Sequence, residues 1–188
     1  EIYTLSLHDA LPIYYRKYKE DAMRAAIVMG SKSDYPVVEK AEKILKQFDI
    51  SYETRVISAH RTPVLAAEFA RSAESEGFEI IIAAAGKAAH LGGVIAANTI
   101  VPVIGIPMKT SDFGGMDSLL STVQMPKGIP VATVAVGGAE NAALLAIHIL
   151  SIKYPVLRQK LREYRAQMEK ETAMADAEVG NEYTAGLF

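Results

Sequence analysis

The chain is 188 residues long, half of them hydrophobic, with 7% aromatics, no Trp and no Cys. That length fits one domain of ordinary size, and the missing cysteines exclude disulfides, thiolate metal sites and a cysteine nucleophile. A net charge of −2 offers no basic field to nucleic acid, and no apolar run reaches the ~20 residues of a membrane-spanning helix.

Residues 1–24 read as a leader. Glu1–Ile13, EIYTLSLHDALPI, has no basic start and no uninterrupted apolar stretch, which makes it a poor signal peptide. It resembles translated sequencing-adapter DNA, and we expect it to be foreign to the native protein. Tyr14–Arg24 is charged and leads into the first strand. Ala25–Met29 is a short apolar run closed by Gly30, the pattern of a buried parallel strand. Gly30 lets the backbone turn and approach a ligand. A helix is expected over Asp34–Phe48, with Val37, Val38, Ala41, Ile44, Leu45 and Phe48 at three- and four-residue steps. Pro36 suits its first turn, and Ser33 or Asp34 its N-cap.

Ser51–Ile57 alternates and reads as the second strand. Ser58–Pro63, SAHRTP, ends it, and Thr62 is expected to cap a helix over Pro63–Glu76 that stops at Gly77. Phe78–Ala85, the most apolar strand, is expected at the centre. GKAAHLGG follows it, then the small-residue segment Val94–Asn98. Val101–Ile106 is a fourth strand, Lys109–Met116 a mobile polar loop, Asp117–Gln124 a short helix and Val131–Val136 a fifth strand. The apolar helix Ala139–Ile152 closes a catalytic-sized unit over 25–152. A further helix occupies 153–174, with Leu157, Leu161, Tyr164 and Met168 on one stripe, and 175–188 reads as a loose tail.

Strands alternating with helices imply an α/β fold, a three-layer αβα sandwich on a five-stranded parallel sheet of flavodoxin-like or Rossmann-like kind. Ligands in such folds bind beyond the carboxyl ends of the strands. GSKSD, SAHR and GKAAH each directly follow a strand, and KTSDFGG sits just past the fourth, so these clusters converge on one rim. Ala139–Ile152 and Ala88–Ala97 are apolar or small on nearly every face. One protomer of this size cannot bury both, so a homo-oligomer is expected.

At the first cluster, a strand end, small polar turn and helix start bring free amides, Ser31 and Ser33 hydroxyls and a positive dipole end to one place, which suits an anion. The same residues would also make an ordinary capped turn, and for Asp34 capping and ligand contact are compatible. His60 can take and return a proton near neutrality or serve as a loop histidine at a helix start. Arg61 can grip a phosphate or carboxylate with two parallel bonds. His90 is either a packing histidine or a ligand contact. His148 belongs in the core or an interface, and His8 lies in the leader. The histidines lack metal-site spacings, so no metal is implied. Asp112 is a candidate polar ligand, Asp117 a helix cap, and Lys87 and Lys109 solvated lysines or anion contacts. Ser31 and Ser58 lack the strained G-x-S-x-G elbow of a serine nucleophile.

MGSKSD at Met29–Asp34, SAHRTP at Ser58–Pro63, AAHL at Ala88–Leu91, DSLLSTVQMPKGIPV at Asp117–Val131 and NAALLA at Asn141–Ala146 together resemble the class I N5-carboxyaminoimidazole ribonucleotide mutases of purine biosynthesis. The resemblance runs from about Ala25 to Ile152. It implies a carboxyl shift from the exocyclic nitrogen of an aminoimidazole ribonucleotide to a ring carbon, in a cofactor-free, cytoplasmic homo-octamer with sites at subunit junctions. On matching positions, Ser31, Ser33, Asp34, Ser58 and Arg61 contact the ribonucleotide. His60 carries the proton. His90, with Gly86 and the Ala88–Ala89 backbone, lines the pocket for the carboxylate or carbon dioxide. Two positions depart from the family pattern. Gly92 follows His90-Leu91 where Pro or Ala is common, which should loosen that turn, and Lys87 replaces a small or apolar residue.

The related direct carboxylases usually carry a serine–asparagine string where this chain has Lys87–His90, which favours the mutase. A receiver-type binding module would need clustered acids at the first strand end, where only Asp34 stands. A flavin module would want aromatics around the ring.

Overall fold

A computed structural model describes residues 23–185, with side chains through 179. The leader 1–13, His8 and most of Tyr14–Arg24 lie outside the described residues. Five parallel strands, β1 (Arg24–Met29), β2 (Ser51–Val56), β3 (Ile80–Ala85), β4 (Val103–Pro107) and β5 (Ala132–Thr133), form one sheet in the order β2-β1-β3-β4-β5. Six helices join or follow them: α1 (Tyr35–Gln47), α2 (Pro63–Ser72), α3 (Leu91–Ala96), α4 (Met116–Val123), α5 (Ala139–Leu150) and α6 (Pro155–Ala185). This is the expected flavodoxin-like sandwich.

The alternation along each strand divides the core. Ala25, Ile27 and Met29 of β1 and Ile80, Ile82 and Ala84 of β3 face one layer, with Val38, Leu45, Ala143, Ile147 and Leu157 from α1, α5 and α6. Ala26, Val28, Ile81 and Ala83 face the other, against Ala66, Phe69, Leu91 and Ile95 of α2 and α3. Burial on both faces explains why β1 and β3 read as unbroken apolar runs.

β5 is shorter than the expected Val131–Val136. It pairs with β4 only at Ile104↔Ala132 and Gly105↔Thr133, because the chain turns at once: the Gly138 amide donates to the Ala135 carbonyl and Gly137 sits at φ 71°. α2 ends four residues early, at Ser72. Its last turn tightens, with the Phe78 amide reaching the Ala73 carbonyl and Gly77 at φ 81°, a left-handed helix stop. α6 instead runs past the expected end, to Ala185. Its sequence there holds three Ala and two Glu and no Pro, and the helix runs through Gly180. Leu157 and Leu161 dock on the body and Tyr164 rests against it, while every described side chain from Arg165 onward is exposed.

α5 buries Ala139, Ala142, Ala143, Ala146, Ile147 and Leu150 within the protomer. His148 lies on its exposed side and is not a core residue. Large apolar side chains remain uncovered elsewhere, at Val64, Ile100, Phe113, Met116, Leu120, Val123 and Ile152. No described helix is long and apolar enough to cross a membrane.

Candidate active site

The sheet order reverses direction between β1 and β3, and a crevice opens there at the carboxyl ends of the strands. Because β2 and β3 flank β1, the loops that follow them arch over the end of β1 from both sides. The cleft between them measures about 660 Å³. Ser31, Ser33, Asp34, Ser58, His60, Arg61, Gly86, Ala88 and His90 all line it, so nine of the ten expected site residues meet in one place. Ala89 does not. Its side chain is buried, 2% exposed, and only its backbone was expected at the pocket.

The first wall is the turn after β1. The Gly30 amide donates to the Ala84 carbonyl of β3, which ties this turn to the next strand. Gly30 does not use glycine's left-handed freedom, and a Cβ there would meet only the Ala84 carbonyl oxygen, at 3.9 Å. Its contribution is open space for a ligand. Neither Ser33 nor Asp34 caps α1 with its side chain. Ser31 instead caps a short 3₁₀ turn over Lys32–Asp34, its Oγ accepting from the Ser33 amide at 3.3 Å and from the Ser33 hydroxyl at 2.8 Å. The Asp34 carboxylate makes no cap bond and is left to face the cleft. Burial pushes its acid strength down and its pKa up, more than a backbone bond from Ser31 and the nearby Arg61 charge pull it back.

The second wall is SAHRTP. Thr62 was expected to cap α2 but makes no such bond. Its Oγ1 folds back, accepting from the Ser58 amide and donating to the Ser58 carbonyl, both at 3.0 Å. The Ser58 hydroxyl accepts from the Arg61 amide at 3.2 Å and from Arg61 Nε at 3.3 Å, while Arg61 Nη2 donates to the Gly30 carbonyl. The guanidinium is thereby held against the Gly30 turn, beside Ser31 and Ser33.

The third wall is GKAAH. The His90 amide donates to the Ala88 carbonyl at 2.8 Å, and α3 starts at the next residue. Gly92 lies buried in α3 rather than in a loosened turn, because the helix begins immediately after His90. His60 Nε2 stands 3.0 Å from His90 Nδ1. Lys87 sits in the left-handed region at φ 56° and pairs with Asp112 at 2.9 Å.

Met108, Lys109, Thr110 and Ser111 form a fourth wall: the KTSDFGG loop was expected at this rim, and Met108 ahead of it was not. The signal was present: Met108 is the first residue after β4, at the same rim as the other three clusters. Asp117 is not the cap of α4. Gly115, at φ 103°, occupies that position, and the Asp117 carboxylate accepts from Thr110 Oγ1 at 2.8 Å. Among the described residues no three His, Asp or Glu side chains are grouped to hold a metal ion. The arrangement offers hydroxyls, amides and a guanidinium for an anion at one end, and two imidazoles for proton transfer at the other.

A protein of Pyrococcus abyssi named N5-carboxyaminoimidazole ribonucleotide mutase is 58% identical over 147 residues, 78% of this chain and 84% of its own length. One of the same name from Thermotoga maritima is 54% identical over 148 residues, 79% and 86% of the two chains. The crystal structure of Treponema denticola PurE superposes with a TM-score of 0.74 at 29% identity, covering 82% of this chain and 97% of that one. Residues 24–171, which hold the whole sheet and all four walls of the cleft, match the AIR carboxylase family, and the chain belongs to it.

Proposed function

We propose that this protein is an N5-carboxyaminoimidazole ribonucleotide mutase, acting in purine biosynthesis. It moves the carboxyl group from the exocyclic nitrogen to the imidazole ring carbon. The observation that carries this reading is the single cleft joining an anion grip to a histidine pair, in a chain 49–58% identical to relatives of that name.

Each residue has a task in that reaction. Ser31, Ser33 and the Arg61 guanidinium hold the phosphate, and the Asp34 carboxylate accepts from ribose hydroxyls. His60 first gives a proton to the exocyclic nitrogen as its bond to the carboxyl carbon breaks, leaving carbon dioxide and the free aminoimidazole. The ring carbon then attacks the carbon dioxide, and the imidazole takes back the proton that this carbon releases. Protons and electrons balance, and no other reactant is consumed. Gly86, Ala88 and His90 enclose the carbon dioxide between the steps, so that recapture outruns escape.

We further propose a cytoplasmic homo-octamer with sites completed at subunit junctions. Exposed Met116, Leu120 and Val123 on the outer stripe of α4 support such a junction, as do exposed Met168, Met174 and Val179 of α6.

The deciding experiment is conversion of N5-carboxyaminoimidazole ribonucleotide to its C-carboxylated isomer without added bicarbonate. Turnover that instead requires bicarbonate and starts from the uncarboxylated aminoimidazole would identify a direct carboxylase.

A further inference from the structure

Among the described residues only Asp49 and Lys87 adopt a left-handed backbone without being glycine. Asp49 directly follows the C-cap of α1, where such a conformation is ordinary. Lys87 ends no helix. It lies in the turn of the cleft, where a glycine would adopt φ 56° without strain. What the lysine adds is a cation, and its Nζ reaches Asp112 Oδ2 at 2.9 Å, 25 residues further on.

Asp112 is the middle of the 109–115 loop. That loop leaves the sheet after the Met108 amide bonds the Ala85 carbonyl, and it is held internally by the Gly114 amide on the Thr110 carbonyl. Gly114 and Gly115, at φ 63° and 103°, turn the loop back into α4. Among the described residues no other side-chain hydrogen bond or ion pair joins the 86–90 turn to this loop. Lys109, Thr110 and Ser111 are the part of it that walls the cleft. A lysine meant to receive an anionic ligand directly would be weakened by a carboxylate at hydrogen-bond distance. The pairing therefore fits a tether better than a ligand contact.

We propose that Lys87 is a positioning residue: its ion pair with Asp112 latches the 109–115 loop across the mouth of the cleft and holds Lys109, Thr110 and Ser111 in place to receive the ribonucleotide. The identity of that substrate rests on the function proposed above, but the latch itself does not.

The test compares Lys87→Gly, Asp112→Asn, the double variant and Lys87→Arg. Chymotryptic cleavage after Phe113, 72% exposed, reports the loop without any substrate. Lys87→Gly and Asp112→Asn should each be cut faster than the parent, the double variant no faster than either, and Lys87→Arg like the parent. Salt should speed cleavage of the parent and leave the variants unchanged, since an exposed pair is screened. In turnover both single variants should raise KM about two- to fivefold, the range an exposed pair can supply, with kcat little changed. Lys87→Gly should also melt at a higher temperature, a gain that loss of a merely structural contact would not produce. Unchanged cleavage, or additive effects in the double variant, would overturn the latch. So would a raised KM in Lys87→Gly with an unaffected Asp112→Asn, which would make Lys87 a direct ligand. If the cleavage pattern holds while the parent shows no mutase turnover, the latch stands and the proposed reaction falls.

Discussion

His60 Nε2 and His90 Nδ1 face one another at 3.0 Å, with the rings 74° apart. Such a contact needs one nitrogen to donate and the other to accept, so the protonation of one ring dictates the tautomer of its neighbour. They lie thirty positions apart in the chain, one on the loop after β2 and the other at the start of α3. We expect His60→Asn to fold with a near-parental melting temperature and to lose about 10²- to 10⁴-fold in kcat, the span a positioned acid–base group supplies. His90→Asn should keep more turnover but release free aminoimidazole ribonucleotide, because carbon dioxide escapes before recapture. Product analysis by chromatography separates the two effects. Undiminished turnover in His60→Asn would remove it as the proton carrier.

Asp34 illustrates a site residue that works against the fold. Burial raises its pKa above the 3.8 of a free aspartate side chain, so the folded state holds its proton more tightly than the unfolded chain does. The folded state is therefore favoured as pH falls through the folded pKa toward 3.8, and disfavoured by the charged carboxylate above it. Asp34→Asn should melt higher than the parent at pH 7, with the advantage shrinking as pH drops into that window. It should also bind ribonucleotide more weakly. Thermal melts across pH, together with KM, measure both. A variant that melts lower at pH 7 would contradict the desolvation argument.

Two glycines in the described core should respond oppositely to a methyl group. A Cβ on Gly92 would meet Val131 Cγ1 at 3.5 Å and Ala83 Cβ at 3.8 Å, ordinary contacts within a helix. Gly92→Ala should stabilise by roughly 0.5–1 kcal/mol. A Cβ on Gly105 would lie 2.4 Å from Thr122 Cγ2, and Thr122 is buried with its hydroxyl bonded to the Ser118 carbonyl. Gly105→Ala should therefore push α4 off the sheet and destabilise by about 1–3 kcal/mol. Chemical denaturation of the two variants gives both signs.

The outer stripe of α4 offers a test of assembly. Met116, Leu120 and Val123 are 57%, 50% and 48% exposed and fall three and four residues apart. Leu120→Glu should convert the assembly to smaller species by light scattering and reduce activity with it. A parent that is already monomeric would end the oligomer proposal.

Much of this protein could be read along its chain. The apolar runs of β1 and β3, the three- and four-residue steps of α1 and the polar clusters behind β1, β2 and β3 are local patterns, and local sterics and burial suffice to set them. They placed the polar clusters at one rim, and the family resemblance of those clusters named the nine residues that line the cleft. Boundaries failed where a backbone turn overrode propensity, as at the Ala135–Gly138 turn that cuts β5 short. Capping failed where a side chain had a second partner, as when Thr62 turned back on Ser58.

What the amino-acid order determined by itself was a layered α/β chain with reactive side chains at strand ends. Only the folded chain decided that β1 lies between β2 and β3, so that two loops from either side bring His60 against His90 above the Gly30 turn. Strand order comes from how whole layers pack, and no periodicity within a segment encodes it. The same holds for the desolvation of Asp34 and for the strained Lys87 reaching across to Asp112.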